Sequence, residues 1–180
     1  MAMPLPLPRY TVADLETFPA DGQRYELLEG FLLVTPAPGV PHQLISARLQ
    51  TALMNYLSEA AHVVGPGVVE RPPRTHLEPD LLVFPPPLPR TEKWTDLAGH
   101  WLAVEIYSRS SRRYDHDYKR DAYLALGVRE VWLLDRWERS VLLSSLDGVR
   151  DRRVVDQLTW APPELPTPFR LDLARLFQGL

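Results

Sequence analysis

Two short apolar runs, each holding a single internal carboxylate, limit what this chain can fold into more than any other feature of its sequence. Leu81 to Phe84, entered through Glu78-Pro79-Asp80, and Trp101 to Tyr107, with Glu105 inside it, are nearly continuous hydrophobic stretches. Runs this short read as buried strands, and a sheet buried on both faces needs helices packed against it. Asp80 and Glu105 therefore sit where a carboxylate is costly. Unpaired and buried, such a group costs several kcal/mol or takes up a proton. A divalent cation removes that penalty, and hard cations such as magnesium take oxygen ligands of this kind. Each acid alone has an ordinary explanation: an Asp at a strand start accepts loop amide hydrogen bonds, and a Glu within a strand pairs with an Arg. Together, with a lysine on the next helix, they point to a metal that activates water and stabilises a phosphoryl transition state.

The rest of the chain supplies the scaffold for that pair. Thr11 to Asp14 has the form of a capping box, with Asp in place of Glu or Gln, and predicts a short helix ending near Phe18-Pro19. Tyr25 to Leu28 and Phe31 to Thr35 predict a hairpin around Glu29-Gly30. From His42 to about Ala61, apolar residues recur at three- and four-residue steps, which predicts an amphipathic helix. Val63 to Glu70, broken by Gly65-Pro66-Gly67, reads as a strand or hairpin. After the strand at Trp101, a helix capped by Ser110 or Ser111 is expected to run to Leu126 and stop at Gly127. Strands follow at Val128 to Asp135 and Ser140 to Ser145, and the tail ends in a short amphipathic segment with Leu171, Leu173, Leu176 and Phe177.

Composition narrows the class. At 180 residues the expectation is a single domain over 1–180, with an N-terminal extension and hairpin (1–40), a core (42–136) and a C-terminal strand and tail (137–180). With no cysteine, neither a disulfide scaffold nor a cysteine-ligated metal site is open to it, and a reducing, cytoplasmic setting is expected. No apolar run is long enough to span a membrane, and Met1 to Arg9 lacks the pattern of a secretory signal. The formal charge of −3 gives no global basic footprint for nucleic acid. Locally, however, Arg109, Arg112, Arg113, Lys119 and Arg120 fall within twelve residues, and the first three, near the helix start, are candidates to grip phosphate or to serve as ordinary surface charge.

Pro79-Asp80 followed by Val104-Glu105-Ile106 resembles the PD…(D/E)XK signature of restriction-type endonucleases. More closely, the chain resembles the Uma-type restriction endonuclease family of that superfamily, through Tyr25 to Gly30, Thr35 to Pro38 with His42-Gln43, Glu78 to Asp80, Val104 to Ser111, Tyr118 to Tyr123 and Gly127 to Asp135. The resemblance implies an α/β (α+β) fold with a restriction-endonuclease-like core: a central mixed sheet flanked by helices, with an N-terminal helix and hairpin added. It implies Asp80 and Glu105, with the backbone carbonyl of Ile106, as ligands of Mg or Mn. In the general motif a lysine stands two residues after the acid, but Tyr107 occupies that place here. The Uma-type pattern carries the lysine on the following helix, which implies Lys119. His42, Tyr123 and Glu26 are candidates for the site's edge.

The expected function is metal-dependent endonucleolytic hydrolysis of phosphodiesters in DNA, by a homodimer or higher homo-oligomer, since duplex cleavage calls for two active sites. A non-catalytic nucleic-acid-binding or assembly module on the same fold, or a hydrolase of small phosphoesters, are the alternatives. The tryptophans at 94, 101, 132, 137 and 160 are expected in the core or at interfaces rather than as base-stacking platforms.

Overall fold

The computed structural model describes residues 9–107 and 112–180. Thr11 and Asp14 close the capping box that starts α1 (Val12–Leu15), with the Thr11 N–H and hydroxyl both donating to Asp14 Oδ2. β1 (Arg24–Leu28) and β2 (Phe31–Thr35) pair antiparallel across Glu29 and Gly30. Both turn residues have left-handed φ, 52° and 84°, as a two-residue hairpin with right-twisted strands requires. α2 (Val40–Leu57) has Pro41 in its first turn, where a missing N–H leaves no bond unmade. It ends earlier than its periodicity predicts, because Ser58 takes φ 49° and turns the chain away.

Six strands form the central sheet: β3 (His62–Val64), β6 (Leu81–Phe84), β7 (Leu102–Ile106), β8 (Glu130–Asp135), β9 (Ser140–Ser145) and β10 (Arg152–Val154), in the order β10-β9-β8-β7-β6-β3. β7 and β8 run parallel while the other neighbours are antiparallel, so the sheet is mixed as expected. A smaller antiparallel sheet, β2-β1-β5-β4, adds β4 (Val69–Arg71) and β5 (Thr75–Leu77) to the hairpin. The stretch read from sequence as one strand or hairpin around Gly65 is therefore divided: β3 joins the central sheet and β4 the smaller one. Between β7 and β8, α3 (Arg112–Tyr114), a π turn (Asp115–Lys119) and α4 (Arg120–Ala125) follow without a break. The expected cap at Ser110 or Ser111 lies outside the described residues. β11 (Gln157–Trp160) and β12 (Phe169–Asp172) pair antiparallel, and α5 (Leu173–Leu176) closes the chain.

Strand alternation decides which side chains meet. Leu102, Val104 and Ile106 of β7 are buried with Ile45, Leu49, Leu53 and Leu57 of α2. Ala103 and Tyr107 are buried on the opposite face, with Tyr123 of α4. Glu105, in step with Ala103 and Tyr107, therefore points to the side that carries Lys119 and Tyr123.

Gly65 has a packing role beside this sheet. A Cβ there would lie 2.7 Å from the Asp80 backbone oxygen and 2.6 Å from Leu81 Cδ2. A backbone atom cannot give way as a flexible side chain can. Gly65→Ala is expected to destabilise the fold by about 1–3 kcal/mol, read as a lower midpoint in urea unfolding. An unchanged midpoint would show that the Asp80 segment yields freely.

Candidate active site

The register of β6 against β7 sets the site. Leu81 faces Val104 and Leu82 faces Ala103; one further step back along β6 brings Asp80 opposite Glu105. Asp80 thus stands just before its strand rather than within it. Two like charges directly across a sheet repel each other, and here both are buried.

Asp80 is held from three sides. Arg24 Nη1 donates to Oδ1 at 3.0 Å, the Ile106 N–H donates to Oδ2 at 2.8 Å, and His42 Nε2 lies 3.0 Å from Oδ2. An ionised carboxylate oxygen can only accept, so His42 Nε2 carries a proton and donates to Asp80. Burial pushes the Asp80 carboxyl up, but the bond and charge of His42, then Arg24 and the Ile106 amide, pull it below the usual carboxylate range. Three of about four lone-pair sites on this carboxylate are occupied.

Glu105 is the opposite case. Its Oε1 accepts from the Tyr123 hydroxyl at 2.6 Å and from Lys119 Nζ at 3.3 Å. Burial raises its carboxyl well above the usual range; Lys119 opposes this, and Asp115, Asp80 and Glu26 add to it. The Lys119 ammonium sits among three carboxylates: Glu26 Oε2 at 2.6 Å, Glu105 Oε1 at 3.3 Å and Asp115 Oδ1 at 3.5 Å. Burial alone would lower the Lys119 pKa, but Glu105, Glu26 and Asp115 outweigh it and hold the pKa above the usual lysine value.

The π turn presents Asp115 and Lys119 together. Both are buried, and Tyr123, four residues further, is buried beside Glu105. The spacing of Asp115, Lys119 and Tyr123 at four-residue steps, with His116 three residues before Lys119, predicts one shared helix face. The structure keeps Asp115, Lys119 and Tyr123 on it. His116 leaves it: the ring turns outward to Asp117 at 2.7 Å and towards Asp151 at 3.6 Å. The wider π turn keeps the four-residue neighbour in line and rotates the three-residue neighbour away. Such turns are rare and concentrate at functional sites.

Glu26, expected only at the edge, is fully buried and anchored by the Glu78 N–H at 2.8 Å as well as by Lys119. Arg24, two residues before it on β1, was not singled out from the sequence, although the spacing of two puts both on one face of a strand. Of the basic cluster, Lys119 joins the acids, while Arg112 and Arg113 stand apart from them. Arg112 pairs with Asp135 at 3.0 Å and lies over the Tyr107 ring, and Arg113 is exposed beside Asp117. Neither lines the cleft that holds the acids. Arg109 lies outside the described residues.

That cleft, about 160 Å³, is lined by Asp80, Glu105, Ile106, His42, Arg24 and Lys119, with the proline-rich 35–41 segment on one side and Arg136 and Trp137 on another. Four carboxylates (Glu26, Asp80, Glu105 and Asp115) surround two fixed cations, Arg24 and Lys119. The hard oxygen donors of Asp80 and Glu105 fit a divalent cation. Among the described residues, no group of three His, Cys, Asp or Glu side chains is placed to hold a metal ion by itself. Two carboxylates and a carbonyl suit magnesium, which keeps several waters and binds through one or two protein acids plus substrate.

A mixed central sheet flanked by helices defines an α+β protein. The chain belongs to the Uma2 family, described as "Putative restriction endonuclease", which matches residues 12–174. A crystal structure from Anabaena variabilis ATCC 29413, described as a putative nuclease belonging to DUF820, shares the fold with a TM-score of 0.67. At 18% identity, the match covers 93% of this chain and 97% of that one. No curated protein gives a significant match. No helix among the described residues is long and apolar enough to cross a membrane.

Proposed function

We propose that the protein hydrolyses phosphodiester bonds in DNA with the help of Mg or Mn. The observation that carries this reading is the cross-strand placement of Asp80 opposite Glu105, two buried carboxylates that line one cleft. Asp80, Glu105 and the Ile106 carbonyl would hold the ion. When bound, the ion supplies a water of lowered pKa and neutralises charge on the scissile phosphate.

The chain's own groups do the rest. Lys119 stays an ammonium across the working pH range, so it cannot act as a general base. It is placed to stabilise developing negative charge, the electrostatic share of catalysis. Tyr123 fixes the Glu105 carboxylate by donating to Oε1. Arg24, His42 and the Ile106 amide keep Asp80 ionised and oriented. With these groups held by strands rather than loops, the site is preorganised.

A second reading, a non-catalytic module, draws on the number of bonds that Asp80 already makes. Nicking of supercoiled DNA across a Mg and Mn titration separates the two. Cleavage that depends on the metal and is lost in Asp80→Ala is expected; no nicking of duplex or single-stranded DNA at any metal concentration would leave the module. A homodimer or higher homo-oligomer is proposed, with solution mass as its measure.

A further inference from the structure

We propose that Arg136 and Trp137 form a base-stacking lip that admits unpaired DNA strands to the cleft. This rests on the nuclease reading above and names the form of its substrate.

The lip follows from the sheet. β8 runs parallel to β7, with Glu105 beside Leu133 and Ile106 beside Leu134, so both strands deliver their C-terminal ends to the same edge. The Tyr107 N–H donates to the Leu134 carbonyl and prolongs that alignment past the strand end. The turn after β8 must therefore emerge beside the acids, and Arg136 and Trp137 do line the cleft with them.

The turn is braced. Asp135, buried at the end of β8, accepts the N–H groups of Trp137 at 2.9 Å and Glu138 at 3.0 Å, and its other oxygen pairs with Arg112 at 3.0 Å. A large aromatic held at 39% exposure by a buried carboxylate differs from the other tryptophans: Trp101, Trp132 and Trp160 are buried in the core. The Arg136 guanidinium lies over the Trp137 ring, 4.3 Å from its centre, so the lip is a stacked cation and aromatic pair. Aromatic rings with arginine are the elements that hold single strands without reading their sequence.

The proline segment that also lines the cleft agrees. Pro36, Pro38 and Pro41 make it stiff and poor in N–H donors. The acids line a space smaller than an ordinary ligand pocket, with Asp80 and Glu105 nearly inaccessible. One sugar–phosphate unit of a flexible strand can enter. A rigid duplex, whose phosphates lie on a broad cylinder, cannot press one into it.

Fluorescence anisotropy with a labelled single-stranded oligonucleotide, an abasic strand of equal length and a duplex tests this at one salt concentration. The full chain is expected to bind the single strand most tightly. Trp137→Ala should weaken that binding about tenfold, leave abasic binding unchanged, and be rescued by Trp137→Phe. Equal effects of Trp137→Ala on the normal and abasic strands, or duplex binding as tight as single-strand binding, would overturn the lip. Nicking assays keep the two readings apart. Base-dependent binding without any metal-dependent cleavage sinks the nuclease and spares the lip, whereas cleavage lost in Asp80→Ala with Trp137→Ala binding like wild type does the reverse.

Discussion

Lys119→Met is expected to destabilise the protein by about 3–5 kcal/mol, the largest stability loss of any single substitution in the site. Methionine keeps most of the length and fills the space, so packing is nearly conserved. What is lost is the charge that lies within 3.5 Å of Glu26, Glu105 and Asp115. With the ammonium gone, three buried carboxylates face one another, and Arg24 on Asp80 is the fixed cation left. Breaking a buried ion cluster by removing one member costs far more than replacing the whole of it with apolar groups. Urea unfolding should therefore show a lower midpoint at unchanged slope. Adding Glu26→Gln to Lys119→Met should recover part of the loss, because the two residues couple directly. A Lys119→Met midpoint equal to wild type would contradict the charge argument. Under conditions where the double variant is folded, nicking should remain down by about 10²–10³-fold; wild-type nicking there would give Lys119 a structural role alone.

Glu105→Gln should separate stability from activity with opposite signs. Glutamine keeps an oxygen for the Tyr123 hydroxyl and the Lys119 ammonium, while one negative charge leaves a cluster that has too many. In metal-free buffer the variant is expected to be more stable, by on the order of 1 kcal/mol, because burial and the Asp115, Asp80 and Glu26 charges together outweigh Lys119 and disfavour the Glu105 anion. With magnesium the order should reverse. A ligand that binds only the folded state raises the melting temperature with its concentration, and this rise should appear in wild type and vanish in Glu105→Gln. Cleavage should fall by about 10²–10³-fold or more. Thermal melts with and without magnesium, beside the nicking assay, read all three effects. A variant as magnesium-responsive as wild type would remove Glu105 from the metal site.

Local patterns made much of this protein legible. The two acids stood out because apolar strands make a lone carboxylate conspicuous. The Glu29-Gly30 hairpin was readable because its turn demands positive φ at both residues. The long helix showed itself through three- and four-residue spacing, and the four-residue steps from Asp115 to Lys119 to Tyr123 placed all three on one buried face. These are effects of neighbours in sequence, which is where periodicity and turn chemistry operate.

Tertiary structure alone decided the partners. Arg24 reaches Asp80 across 56 positions of sequence, and Glu26 meets Lys119 from the far end of the chain. Nothing local announced Arg24, because an arginine on a short hairpin strand looks like a surface charge until the smaller sheet docks against the central one. The division of β3 from β4, the extra strand β5 and the pairing of β10 with β9 depend on backbone hydrogen bonds between distant segments, and strands of three residues carry too little periodicity to reveal them. The π turn that sends His116 outward is likewise chosen by what the helix packs against. From its sequence alone, the chain determined which groups would be costly to bury. Only the fold decided which groups would meet that cost, because charges pair through space and the register of the sheet sets the space.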